Sequence, residues 1–181
     1  SSVAGADGSG YELSRELGHH IIEPLPALTG LKAKGNFFAA WAGVRTECRV
    51  SLWIDGVMAE SETGEIQLTD YGISGIPVFQ ISGIAARALE QKKKVSVTLD
   101  FFPEYTKEEV RELFAAREKK YPGFSDTERL LGLLPDKLIK VILKQKNLLE
   151  AVTAFPLEIR GTGGFEQAQV CAGGVDTQEI N

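Results

Sequence analysis

The run GVRTECRVSLWIDGVMAE, residues 43–60, restricts the fold more than any other stretch. Val44, Thr46 (through its methyl), Cys48, Val50, Leu52 and Ile54 alternate with Arg45, Glu47, Arg49, Ser51 and Trp53. An extended chain places the first set on an apolar face and the second on a wet one, whereas a helix would scatter both around its axis. Asp55-Gly56 follows. Both residues tolerate positive φ, which favours a two-residue hairpin turn into a partner strand over residues 57–62. Thr63-Gly64 is expected to turn the chain once more, into a strand over residues 65–69.

The period then changes. After DYGISGIP, Val78, Ile81, Ile84, Ala85, Ala88 and Leu89 fall on one helical stripe, with Pro77 suited to the first turn. KVSVTLDFFP returns to alternation through Val95, Val97, Leu99 and Phe101, and Pro103 closes that strand. Residues 104–152 differ in kind. Thr106 with Glu109 and Ser125 with Glu128 form capping-box pairs, Tyr121-Pro122-Gly123 stops one helix, and Pro135 opens another that carries Leu138, Ile139, Ile142 and Leu143. Strands resume with FPLEIRG, a Gly163-Gly164 turn, a strand-like run over residues 165–171, and a Gly173-Gly174 turn. The expected fold is α+β, a small antiparallel β-barrel with an inserted all-α helical subdomain. The barrel is assigned to residues 25–102 plus 155–171 and the helical unit to 103–154.

Composition narrows the partners. The 181 residues carry a formal net charge of −5, which argues against nucleic acid or an anionic membrane surface. Lys92, Lys93 and Lys94, and Lys137, Lys140 and Lys144 at helical spacing, read as solvated faces. No apolar run reaches the length that spans a bilayer. Cys48 and Cys171 each sit in an apolar alternating segment, the setting of a buried reduced thiol, and the expected compartment is the cytoplasm. His19 and His20 follow a helix end and favour its dipole; no partners at ligand spacing accompany them, so no metal is expected. Ser74 in YGISGIP lacks the spacing of a nucleophile elbow.

Two glycine clusters remain. GADGSG at 5–10 opens an amphipathic helix and permits close approach to a phosphate or cofactor, yet an Asp7 or Ser9 helix cap explains it equally. AGGVD at 172–176 suits either a planar ligand or an ordinary bulge. Residue chemistry alone leaves both pairs of alternatives open.

A resemblance bears on them. GADGSGYELSRELGH, PLPALTGLK, TGEIQLTDYGISGIPVFQIS and FEQAQVCAGGVDTQEI together resemble a bacterial family of FAD-dependent oxidoreductases, the aminoacetone oxidase-like flavoproteins. In that family a Rossmann-type FAD domain is split by a long insertion of barrel plus helical subdomain. The resemblance implies that this chain is the insertion, with residues 1–24 and 172–181 as edges of an FAD domain whose nucleotide-binding core lies outside it. Gly5, Asp7, Gly8 and Gly10, with Gly173 and Gly174, would then lie near FAD, and Thr69, Tyr71, Gly72 and Ser74 would shape a substrate cavity. NAD(P)H is the implied electron donor, and a small molecule the implied substrate. The chain alone is expected to be colourless and inactive.

The partners implied are the FAD domain of the same polypeptide or, through an exposed face, a second copy. Residues 17–24 and 172–175 are accordingly expected on one side of the barrel, with Tyr11, Leu13, Leu17, Val175 and Ile180 exposed or covered by another body. The competing reading is a self-contained barrel that binds a small ligand or a protein.

Overall fold

The computed structural model describes residues 7–179. Gly5 and Ile180 lie outside them. The elements run α1 (Ser9–Glu16), β1 (Ile21–Ala27), β2 (Leu31–Ala33), α2 (Phe38–Trp41), β3 (Arg45–Ile54), β4 (Val57–Leu68), β5 (Gly72–Gly75), α3 (Ile76–Glu90) and β6 (Val95–Asp100). Next come α4 (Lys107–Lys120), α5 (Asp126–Leu130), α6 (Asp136–Ile142), α7 (Leu148–Thr153), β7 (Phe155–Thr162) and β8 (Val170–Val175). Strands β2-β5-β4-β3-β6-β7 close into an antiparallel barrel, and β1 pairs with β8 in a separate two-stranded ribbon. The four helices α4–α7 are inserted between barrel strands β6 and β7, as the α+β expectation has it.

The barrel follows from the period-two pattern. Cys48, Val50 and Leu52 of β3 face inward with Ile66 and Leu68 of β4, Val97 and Leu99 of β6, and Leu157 of β7, all buried. In a barrel of so few strands, inward side chains such as these form the core. Burial first, and the charge of neighbouring Asp100 second, push the Cys48 thiol well above its ordinary value. It behaves as a small apolar core residue.

Several local readings need correction. Thr63-Gly64 is no turn: β4 runs unbroken through it, with Gly64 opposite Cys48. The glycine instead makes room, since a Cβ there would stand 3.2 Å from the Pro77 ring at the start of α3. The strand expected over residues 165–171 begins only at Val170, because residues 165–167 form a turn, and Gly173-Gly174 lies inside β8 rather than at its end. Ile84 is 39% exposed, whereas Ser82 and Ala86 are buried. The cause is the ribbon, which covers α3 on a second side; Gly83 sits where a Cβ would touch Ala27 and Ala172. Helix α3 therefore touches β3 to β7 on one side and β1 on the other, joining barrel to ribbon.

Both capping boxes are present. Thr106 N–H donates to Glu109 Oε2 at 2.7 Å and Ser125 N–H to Glu128 Oε2 at 2.8 Å, while each hydroxyl accepts the N–H of its glutamate. Hydrogen bonds from the Thr106 backbone and hydroxyl hold Glu109 below the usual carboxylate range, and bonds from the Ser125 hydroxyl and backbone do the same for Glu128. A depressed folded-state pKa stabilises the fold above the unfolded value, and that contribution disappears as pH falls through the folded one. Acidification through and below the usual glutamate range will thus loosen α4 and α5 before the barrel. Far-UV circular dichroism followed beside Trp fluorescence checks the order, and the Thr106→Ala, Ser125→Ala double variant should lose the early phase.

Candidate functional site

The ribbon and α1 form a ledge on which most of the expected cofactor residues meet. Gly8 precedes α1 at φ 85°, and the Asp7 carboxylate accepts the Ser9 N–H at 3.0 Å. That backbone bond, with a further one from the Ser9 hydroxyl, lowers the Asp7 carboxyl from its ordinary value. Ile21 pairs with Val175, Ile22 with Gly174 and Leu25 with Ala172, so residues 17–24 and 172–175 do lie together. Gly173, at φ 119°, allows this approach: a Cβ would stand 2.7 Å from the Glu23 carbonyl oxygen. Gly174, at φ 124°, leaves its face open to the Tyr11 ring, 3.4 Å from where a Cβ would be.

Two hollows flank Tyr11. One, of about 460 Å³, is lined by Asp7, Gly8, Arg15, Pro24, Phe165 and Cys171 among others. The other, of about 340 Å³, is lined by Gly8, Ser9, Gly10, Ser14 and Val175. Around them the surface is apolar without being covered: Leu13, Leu17, Ile22, Phe165 and Val170 are exposed, and α1 buries none of its residues fully. Helix α1 is amphipathic, and its Leu13 is left exposed with Leu17 just beyond its end.

The corner from Thr69 to Ser74 is built tightly. Trp41 Nε1–H donates to the Thr69 carbonyl at 3.1 Å, Thr69 N–H donates to the Gly72 carbonyl at 3.0 Å, and Ala33 N–H donates to the Tyr71 carbonyl at 2.9 Å. The Tyr71 ring lies over Gly30, where a Cβ would come within 2.9 Å of its hydroxyl oxygen. Gly72 is buried against β2, and a Cβ there would stand 2.3 Å from the Leu31 carbonyl oxygen. Ser74 lines an open cavity of about 490 Å³ between β3, β4, β5 and the start of α3. Ile66, Ile76, Pro77 and Phe79 make its walls largely apolar, and Gln67 and Arg45 add polar groups. Arg45 is bridged to Glu65 at 3.1 Å. Sequence reading missed Arg45, Gln67 and Phe79 here because the cavity joins four elements, β3, β4, β5 and α3, whose contact no local pattern announces.

A closed six-stranded antiparallel barrel, interrupted by a helical unit and tied through α3 to a ribbon with an uncovered face, defines the class of domain. The description "HI0933-like protein barrel and H2TH domain" matches residues 25–170, and the chain belongs to that family. It is 41% identical over 197 aligned positions, 99% of this chain and 48% of the relative, to a 3-dehydro-bile acid delta(4,6)-reductase of Clostridium scindens. It is 27% identical over 195 positions, 98% of this chain and 45% of the relative, to a ribosomal RNA dihydrouridine synthase of Haemophilus influenzae. The chain thus spans about half the length of the curated relatives it matches. Among the described residues no helix is long and apolar enough to cross a membrane.

Proposed function

We propose that this chain is the substrate-side half of a FAD-dependent oxidoreductase of the aminoacetone oxidase-like kind, acting on a small apolar ring that carries a carbon–carbon double bond conjugated to a carbonyl. The names of both relatives concern the hydrogen count of a ring double bond, in a 3-dehydro-bile acid for one and in a uridine of ribosomal RNA for the other. The observation that carries the choice of a small apolar substrate is the 41% identity along nearly the whole chain to the bile-acid reductase. The formal charge of −5 supports it against RNA. A largely apolar hollow of about 490 Å³ has the volume for such a ring system.

The ledge fits part of the cofactor and not all of it. Gly8, Gly10 and Gly174 beside Tyr11 offer a bare, partly apolar surface for one edge of a flat ring. The phosphates fit poorly: the Asp7 carboxylate already accepts the Ser9 N–H at the start of α1, whose N-cap is Gly8, and Glu12 and Glu23 line the same hollow with Arg15 as its cation. A diphosphate belongs on basic or uncapped backbone donors, which this reading assigns to the other half of the polypeptide. FAD, when bound, supplies hydride chemistry. The residues of this chain would shape the substrate cavity and exclude water by pressing the apolar ribbon face onto that other half.

In the overall reaction the substrate gains a hydride and a proton across the double bond, and reduced nicotinamide nucleotide is oxidised. The test is an assay of the complete polypeptide for NAD(P)H oxidation with a 3-oxo-4,6-diene steroid and, separately, with a uridine-containing RNA. Turnover with the steroid alone is expected. Turnover with RNA alone, or with neither, contradicts the reading.

A further inference from the structure

One face of helix α3 meets two different surroundings. Gly83 and Arg87, four residues apart, lie on the side that the ribbon crosses. A Cβ on Gly83 would stand 3.4 Å from Ala27 and 3.8 Å from Ala172, and Arg87 Nη2 donates to the carbonyls of Glu23 at 3.2 Å and Ala172 at 3.4 Å. Ile76 stands seven positions before Gly83, close to two full turns, so it projects from the same side. The ribbon does not reach it. Ile76 is 72% exposed, Gln80 between the two is exposed as well, and Ile76 lines the open hollow of about 490 Å³ together with Ile66, Pro77 and Phe79.

What adjoins this face decides what covers it. The curated relatives are about twice as long as this chain. Asp7 lines a hollow with Glu23, Pro24 and Cys171 of the ribbon, and Glu179 accepts the His20 N–H at 2.9 Å just before β1. Polypeptide joined beyond either position therefore starts at the ribbon, where Ile22 and Val170 are exposed. From Gly83 to Ile76 is only about 10 Å along the helix, several times less than the width of a domain of this chain's own size. A contact that begins on the ribbon runs onto Ile76 without a break.

We propose that the remaining half of the polypeptide covers the front of α3 as well as the ribbon, seating on Ile76 and closing the mouth of the 490 Å³ hollow. Residues of that half then complete a substrate cavity that this chain forms on one side only. The proposal rests on the reading that this chain is half of a longer oxidoreductase, and not on which cofactor that enzyme holds.

Val57 is the internal standard for the test. It is 71% exposed on the β3–β4 hairpin tip, which is fastened beyond the far end of α3, where Asp55 Oδ1 accepts the Lys94 N–H at 2.9 Å. In the complete polypeptide, Ile76→Cys and Val57→Cys are each treated with a maleimide, and the modified position is read by mass spectrometry. Labelling at least about tenfold slower in Ile76→Cys than in Val57→Cys, unchanged on dilution, is expected. Equal rates overturn the proposal. Protection that disappears on dilution overturns it too, since a second copy then covers the face. Hydroxyl-radical footprinting of the unsubstituted polypeptide, with Ile76 and Phe79 compared against Val57 and Met58, decides the matter even if a cysteine variant does not fold. Flavin absorbance of the same sample keeps the two readings apart: bound flavin with position 76 unprotected retains the flavoenzyme and removes this surface.

Discussion

Gly72→Val will leave no closed barrel. β5 is the strand that links β2 to β4, and it does so through pairs as few as Leu31 with Ile73 and Lys32 with Gly72 on one side, and Ile66 to Leu68 with Gly75 to Ile73 on the other. A Cβ at position 72 would stand 2.3 Å from the Leu31 carbonyl oxygen and 3.0 Å from the Ala33 nitrogen. Neither atom can yield without opening the pair, since both are backbone. The conformation adds a second cost: φ is 151°, a region that side-chain-bearing residues rarely occupy, worth roughly 1–3 kcal/mol. Together these are expected to exceed about 4 kcal/mol, much of the 5–15 kcal/mol typical of a domain. Chemical denaturation of the variant should show a lost or greatly lowered transition. Gly161→Ala is the control, because Gly161 lies on barrel strand β7 with open space around its Cβ position. A cost below about 1 kcal/mol is expected there.

Trp41→Ala is the second large effect. Trp41 is fully buried, packs its ring against Phe37 at 5.0 Å, Phe38 at 5.8 Å and Phe155 at 5.5 Å, and donates to the Thr69 carbonyl. Removing the ring leaves a cavity between α2 and the barrel, with a loss of about 3–5 kcal/mol. Trp41→Phe separates the contributions. It keeps most of the aromatic volume and forfeits the hydrogen bond, so about 1–2 kcal/mol is expected, with the Thr69 carbonyl left short of a partner. Because Thr69 begins the corner that carries Tyr71 and Gly72, exchange of the neighbouring backbone amides should quicken in Trp41→Phe. Equal losses in the two variants would mean that ring packing contributes little.

How far the fold can be read from the chain depends on the range of the interaction. Strands β3 and β6 are visible because one face of each is buried, and alternation such as Cys48, Val50, Leu52 is a local signature of that burial. The starts of α4 and α5 are visible for a similar reason: a capping box closes within four residues. Gly64 misleads because a glycine required by Pro77, thirteen positions away, looks the same as a glycine required by a turn. The run before β8 misleads because Phe165, Ala168, Val170 and Cys171 make it apolar enough to pass for a strand, although residues 165–167 form a turn. β1 and β8 pair across some 150 residues, and nothing local records that they leave the barrel to form a ribbon.

The candidate site divides along the same line. The resemblance groups Asp7, Gly8 and Gly10 with Gly174; the first three line one hollow with Tyr11 and Val175, and the Tyr11 ring in turn stands 3.4 Å from where a Cβ of Gly174 would be. Gly72 and Gly173 are explained by backbone approach within the chain, which is a sufficient reason for glycine at each whether or not a ligand lies near. Thr69 and Tyr71 spend their polar backbone groups on the corner itself.

The central claim is that this chain supplies the substrate side of a flavoenzyme and leaves the dinucleotide to the rest of the polypeptide. The most direct measurement is the visible absorption spectrum of two purified proteins: the polypeptide from the complete reading frame, and residues 1–181 alone. The account predicts a stoichiometric flavin spectrum in the first, bleached anaerobically by NAD(P)H, and none in the second. Flavin retained by residues 1–181 alone, or absent from the complete polypeptide, would contradict it.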